Sequence, residues 1–345
     1  MPNWNAPRAA VLLSILFVFS AAAKEPQLVT EEFKVPAGEA GIEIYVRNKH
    51  PADVSNFGPD HTLVFVHGAT YPASTSFDLE LGGTSMMDYI AAHGYDVYLM
   101  DLPGYGRSTR PSQMSQPAEA NPPLENTADA VRHYGVVVDY VLKRRGLQKL
   151  DVMGWSWGTT IVGGFAASQP EKTNRVVLYA PVWILREPPP VAGSGAYRSV
   201  TAERAQQRWL NGVPEDKKDN LIPPGWFDAW QKATWATDPT GSAENPPVVR
   251  APNGVVEDLH KYWGAGHPTY DPSRITAPIL LVQGEWDHDT PPYMAQTIFG
   301  LLAHAPWKQY TMLGEGTHTI MMERNRQQLF YVVQSFLDEK FSNNP

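Results

Sequence analysis

The sequence predicts an α/β protein with a mostly parallel sheet and helices on both of its faces. Three observations carry that expectation. A continuous apolar run at 62–66 reads as a strand covered on both sides, and 96–100, 150–153, 175–179 and 279–282 read as further strands. Helix-patterned segments at 86–92, 128–145, 159–167 and 291–303 alternate with them, as crossover helices do. Polar residues stand just past several of these strands, where open parallel sheets bind ligands.

Taken in order, residues 41–46 alternate apolar and polar like a half-buried strand. The run 62–66 ends at His67-Gly68-Ala69-Thr70. The helix at 86–92 stops before Gly94, a C-cap, and the strand 96–100 feeds a loop from Asp101 to Ser108. A long amphipathic helix at 128–145 is closed by Gly146. The strand 150–153 then turns at Gly154-Trp155-Ser156-Trp157-Gly158 into the helix at 159–167, and 175–179 follows.

After Pro181 the alternation breaks. Residues 183–273 hold six of the 11 tryptophans together with many prolines, which marks a separate insertion after the sixth strand. Helices are expected at 202–210, stopped by Asn211-Gly212, and at 226–236, stopped by Asp238-Pro239. Trp226 and Trp230, four apart, share a face of the second. Such an insertion reads as a helical cap over the strand ends, with Pro188-Pro189-Pro190 and Gly193-Ser194-Gly195 as a candidate hinge. The core is therefore assigned to 24–182 and 274–345. It resumes with the strand at 279–282, the helix at 291–303, a strand at 308–312 and a last helix at 324–341.

Composition narrows the function. The chain has 345 residues, 43% of them hydrophobic, enough for one large core. A net charge of -8 without a basic run argues against a nucleic-acid partner. With no cysteine, disulfides, thiolate metal sites and a cysteine nucleophile are excluded. Arg8, the apolar run 9–19 and the small residues Ala21 and Ala23 describe a secretory signal over 1–23. The run is short for an uncleaved anchor. A periplasmic or secreted protein starting near Lys24 is expected, without stable membrane insertion once the signal is removed.

The chemistry centres on Ser156. A serine on an abrupt strand-to-helix turn, with glycines two residues away on each side, projects its hydroxyl above the sheet edge. A serine hydroxyl needs an adjacent base that is itself oriented by a third group. Asp287 follows the strand 279–282, and His318 lies on a loop after 308–312. The chain order Ser156, Asp287, His318 is that of a strand-turn-helix serine hydrolase. Asp289 is the alternative acid, with Asp287 then only capping the next helix. Residues 287–289 are a poor metal site, because consecutive ligands on one loop converge badly.

Several motifs together resemble the α/β-hydrolase fold, over nearly all of residues 40–340. His67-Gly68 resembles the family's oxyanion loop, 101–108 its D-x-x-G-x-G-x-S loop, and 284–291 its G-x-x-D-x-x-x-P acid loop. The resemblance implies an eight-stranded sheet and no cofactor or metal. A serine nucleophile sets the chain apart from the family's dehalogenases and epoxide hydrolases. The expected oxyanion donors are the Trp157 N–H, at the helix start, and the Ala69 N–H. Trp155 and Tyr71 are the expected pocket residues, Trp157 serving as wall or core, and His67 is expected to brace its loop.

The implied activity is acyl transfer to water, on a small ester or lactone with an apolar or aromatic portion. The elbow is also similar to that of proline iminopeptidases, although 67–70 departs from their H-G-G-P and Glu203, Glu215 and Asp216 form no recognisable amine site. Carbon–carbon bond hydrolases share the same three residues. A ligand-binding protein on a hydrolase scaffold is the non-enzyme alternative, and it is at odds with the retention of all three.

Overall fold

The computed structural model describes residues 1–2, 26–187, 189 and 195–341. The expected signal and most of the expected hinge lie outside the described residues. Among the described residues, no helix is long and apolar enough to cross a membrane.

Eight strands form one sheet. In chain order they are β1 (Leu28–Pro36), β2 (Glu43–Pro51), β3 (Thr62–Val66), β4 (Asp96–Asp101), β5 (Leu150–Trp155), β6 (Thr173–Tyr179), β9 (Ile279–Gly284) and β10 (Lys308–Leu313). Their spatial order is β1-β2-β4-β3-β5-β6-β9-β10. All pairs from β4 to β10 are parallel, whereas β2 runs antiparallel to both β1 and β4. The expected eight-stranded, mostly parallel sheet is present. β1 carries no signal in the apolar pattern because it is an edge strand with alternating exposed polar residues.

Alternation along the central strands splits the core in two. Val64, Val66, Val152, Val176, Leu178, Ile279 and Leu281 pack on one side with the helices Thr127–Arg145, Trp157–Ser168 and Pro292–Leu301. Leu63, Phe65, Met153, Val177, Leu280 and Val282 pack on the other with Met86–Ala92 and Arg326–Asp338. Helices therefore cover both faces. Strands β3, β4, β5 and β9 are wholly buried and β6 is buried except at Asn174, which explains their apolar character.

The insertion between β6 and β9 is not purely helical. It contains the helices Ala202–Trp209, Trp226–Trp235 and Gly254–Lys261 and an antiparallel pair, β7 (Tyr197–Thr201) with β8 (Val248–Pro252). The pairing partners are about fifty residues apart, so no local turn signal announces them. Trp226 and Trp230 share a helix, but only Trp230 is fully buried. Its ring packs on Trp209 (4.7 Å), Phe227 (5.5 Å), Trp235 (5.8 Å) and Tyr71 (4.7 Å). Most of the tryptophans thus serve as packing. Asp238 and Arg250 form a buried ion pair (2.7 Å) within the insertion, and the Arg110 Nη2 donates to Thr237 O (2.9 Å) from the core.

Close backbone contact fixes where β5 meets its helix. A Cβ at Gly158 would lie 2.6 Å from the His67 carbonyl oxygen and 2.7 Å from that of Val66. Gly158→Ala is therefore expected to cost about 3 kcal/mol or more by overpacking against backbone. Gly135→Ala, whose Cβ meets only Phe165 at 3.7 Å, should instead gain up to about 1 kcal/mol of helix propensity. Urea denaturation of the two variants checks the contrast.

Candidate active site

Ser156 stands between β5 and the helix Trp157–Ser168 with φ 55° and ψ -123°, a conformation that costs a non-glycine residue roughly 1–3 kcal/mol. The turn is held closed from both sides. The Ser156 N–H donates to the Tyr179 carbonyl (2.9 Å), and a Cβ at Gly154 would sit 2.2 Å from the Gly158 carbonyl oxygen. The G-x-S-x-G spacing is thus a packing requirement that leaves the hydroxyl above the sheet.

His318, on the loop after β10, donates from Nδ1 to Asp287 Oδ2 (2.9 Å), with Oδ1 at 3.1 Å. The carboxylate can only accept, so the proton sits on Nδ1. Nε2 is buried and has no hydrogen-bond partner among the described residues. The Asp287 carboxylate also accepts from the N–H groups of Asp289 (3.0 Å) and Thr290 (2.8 Å) and from the Thr290 hydroxyl (2.7 Å). Burial disfavours protonation of His318, but the Asp287 carboxylate outweighs it and raises the imidazole above its ordinary pKa.

The two candidate acids have separate partners. Asp289 turns to the insertion, where its Oδ2 accepts from Arg208 Nε at 2.6 Å. Burial would raise its carboxyl, yet the adjacent guanidinium holds it below the usual carboxylate range. Asp287 is the residue on His318.

The His318 loop is clamped through neighbouring atoms. The His318 carbonyl accepts from Trp155 Nε1 (3.0 Å) and from the Tyr179 hydroxyl (2.8 Å). On either side of it, the Thr317 N–H (3.0 Å) and the hydroxyls of Thr317 and Thr319 (2.8 Å for Thr319) donate to Glu323. Glu323 is wholly buried, and burial pushes its carboxyl up to about 7 against the pull of these donors.

Ser156 and His318 line one small cavity with Ala69, Tyr71 and Trp155 and with Gly68, Thr70, Arg208, Trp209, Asp289 and Thr319. Its volume is about 20 Å³, room for little more than a water molecule. Larger depressions of about 490 and 560 Å³ contain neither Ser156 nor His318. The Trp157 side chain is core: it donates to the Thr127 hydroxyl (2.9 Å) and is 1% exposed. The Trp157 N–H heads its helix, and Ala69 lies beside Ser156 in the cavity.

His67 braces its loop. Its Nε2 accepts from the Leu102 N–H (3.1 Å), so Nδ1 carries the proton and donates to the Gly68 carbonyl (2.7 Å). Burial lowers its pKa and keeps it neutral. Asp101 is likewise occupied, accepting from the Ser74 N–H and hydroxyl and the Arg107 N–H.

The model of the α/β hydrolase fold matches residues 61–325. The chain belongs to the α/β hydrolase fold family. No curated protein matches it. Solved structures share this fold at low identity. The 2-hydroxy-6-oxo-6-phenylhexa-2,4-dienoate hydrolase of Rhodococcus sp. strain RHA1 is 15% identical with a TM-score of 0.60, covering 91% of this chain and 100% of its own. A monoacylglycerol lipase of Paleococcus ferrophilus is 19% identical (TM-score 0.54; 86% and 98% covered). Est1E of Butyrivibrio proteoclasticus, solved with ferulic acid, is 14% identical (TM-score 0.56; 88% and 97% covered).

Within this α/β hydrolase, sequence reasoning missed Arg198, Arg208 and Glu323. Arg208 lies on the expected helix at 202–210, but its pairing with Asp289, 81 residues away, leaves no mark in the sequence.

Two measurements check this electrostatic picture. By NMR, His318 should titrate above about 6.5, and Asp287→Asn should lower it, since its hydrogen-bonded anion is then gone while burial and Arg208 still disfavour the charged form. Glu323 titrates above an ordinary glutamate, so its stabilising share is complete below pH ~4.5 and lost as pH rises through about 7. Glu323→Gln should remove a difference on the order of 3 kcal/mol between urea stabilities at low and at slightly alkaline pH.

Proposed function

We propose that this α/β hydrolase cleaves carboxylic esters or lactones with an apolar or aromatic portion, through an acyl-enzyme on Ser156, outside the cytoplasm. The observation that carries this reading is His318, bonded through Nδ1 to Asp287, with its unpartnered Nε2 in the residue that shares a cavity with Ser156. The extracytoplasmic location rests on the basic flank, apolar run and small residues of 1–23.

In this mechanism His318 Nε2 takes the Ser156 proton as Oγ attacks the ester carbonyl. The developing oxyanion meets the N–H groups of Ala69 and Trp157, each worth roughly 3 kcal/mol in comparable sites. Asp287 stabilises the imidazolium, which then protonates the departing alcohol. A water, activated by the same nitrogen, releases the acid. Trp155 and Trp209 give the cavity apolar walls suited to a flat substrate group.

The peptidase alternative finds no support at the cavity. Its lining carboxylate, Asp289, is taken by Arg208; Glu203 accepts from Gln207, and Glu215 pairs with Lys218. A substrate amine is left without an anionic partner there among the described residues.

Ser156→Ala should lower kcat for 4-nitrophenyl esters by about 10⁴-fold or more and abolish labelling by a fluorophosphonate probe. Near-wild-type hydrolysis by that variant would refute the ester mechanism, and a folded wild type that resists labelling would favour the ligand-binding alternative. In the wild type, kcat/KM should rise with pH along a limb whose midpoint lies above about 6.5, because the base form of His318 is the active one.

A further inference from the structure

The cavity is polar on one wall in a way that a purely apolar substrate does not explain. Two arginines from the insertion, Arg198 on β7 and Arg208 on the helix Ala202–Trp209, meet at the hydroxyl of Thr70. Arg198 Nη2 lies 3.1 Å from Thr70 Oγ1 and Arg208 Nη1 lies 3.5 Å from it. The remaining acceptors of Arg198 are the carbonyls of Ala69 and Pro252 and the side-chain oxygen of Asn253 (3.3 Å). None of them is anionic. The carboxylate beside the two guanidinium groups, Asp289, pairs with Arg208 and makes no contact with Arg198. The repulsion between the arginines contributes to a lowered Arg198 pKa, after burial.

We propose that this α/β hydrolase selects substrates carrying a free carboxylate, bound by Arg208 beside the Thr70 hydroxyl, with Arg198 adding positive charge behind Thr70; the inference builds on the ester-hydrolase reading above. A guanidinium fork matches a carboxylate, and charge-assisted hydrogen bonds strengthen beside apolar walls such as Trp155 and Trp209. Thr70 directly follows Ala69, the expected oxyanion donor, so the anion sits a few bonds from the scissile carbonyl. Arg208 is the better exchange point. Its side chain is 42% exposed, and the Asp289 carboxylate on its Nε occupies the kind of position a substrate carboxylate takes.

The test compares kcat/KM within two pairs of esters that differ in one charge. In the first the carboxylate is on the alcohol side, 4-acetoxybenzoate against 4-acetoxybenzamide. In the second it is on the acyl side, the mono-4-nitrophenyl ester of adipic acid against 4-nitrophenyl hexanoate. At least one acid should be preferred about tenfold or more, and Arg208→Met should pull that ratio toward one, with Arg208→Lys in between. Benzoate or hexanoate should likewise protect Ser156 from the fluorophosphonate probe better than the matching amide, and this readout does not require turnover.

Ratios near one in both pairs, or a preference that survives Arg208→Met, overturn the proposal. Where neutral esters are still hydrolysed and Ser156 is still labelled, that result leaves the ester mechanism intact. Loss of both hydrolysis and labelling in the folded wild type removes the two together.

Discussion

The close approach of three backbone segments underlies everything at this site. The helix after Ser156 is pressed onto the end of β3 so tightly that position 158 has no space for a side chain, and position 154 is shut by the carbonyl of 158. Ser156 absorbs the resulting geometry at φ 55°. Strain of this size persists only when its surroundings over-determine it. Here the parallel pairing of β5 with β3 on one side and β6 on the other supplies that constraint. The same packing brings the loop at 67–70, which starts at the end of β3, alongside the Ser156 turn.

The histidine loop depends on a different principle. It lies on β10, a partly exposed edge strand, far from the rigid centre of the sheet. Packing alone holds such a loop weakly, and polar contacts make up the difference. Trp155 and Tyr179, both from central strands, donate to the His318 carbonyl, while Glu323 gathers the threonines on either side. Trp155 thereby joins the Ser156 turn to the His318 loop through one hydrogen bond. Burying Glu323 without a cation is costly, and three donors from the loop are what compensate.

The parts legible in the sequence are those governed by local pattern. Buried parallel strands announce themselves as apolar runs, the glycines at 154 and 158 mark the turn, and Gly146 closes its helix at φ 67°. Ser156, Asp287 and His318 each sit at a strand end that the pattern locates, so their convergence follows from topology. Asp287 and Asp289, two residues apart, were not separable that way, because only the tertiary fold sets one against His318 and the other against Arg208. β1 and β7 lacked a buried face strong enough to show, and β8, though buried throughout, is five residues long with Arg250 at its centre and a proline at its end. The insertion's tryptophans are not assignable from sequence, because a large aromatic ring looks the same whether it walls a pocket, as Trp209 does, or fills a core, as Trp230 does.

A cavity of about 20 Å³ cannot hold an ester of any size, so the insertion has to yield somewhere. Its ionic attachments to the core differ in exposure. Arg110 reaches across to Asp238 at 3.6 Å, where the carboxylate is wholly buried and is also held by Arg250 from within the insertion. The Arg208–Asp289 pair is 42% and 19% exposed, and pairs open to solvent contribute about 0.2–1 kcal/mol. Space for substrate therefore opens most cheaply on the Arg208–Trp209 side, with the end held by Arg110 on Asp238 and Thr237 as the fixed point. An incoming carboxylate that replaces Asp289 on the guanidinium recovers the interaction lost in opening, so binding and opening become one event at the same arginine.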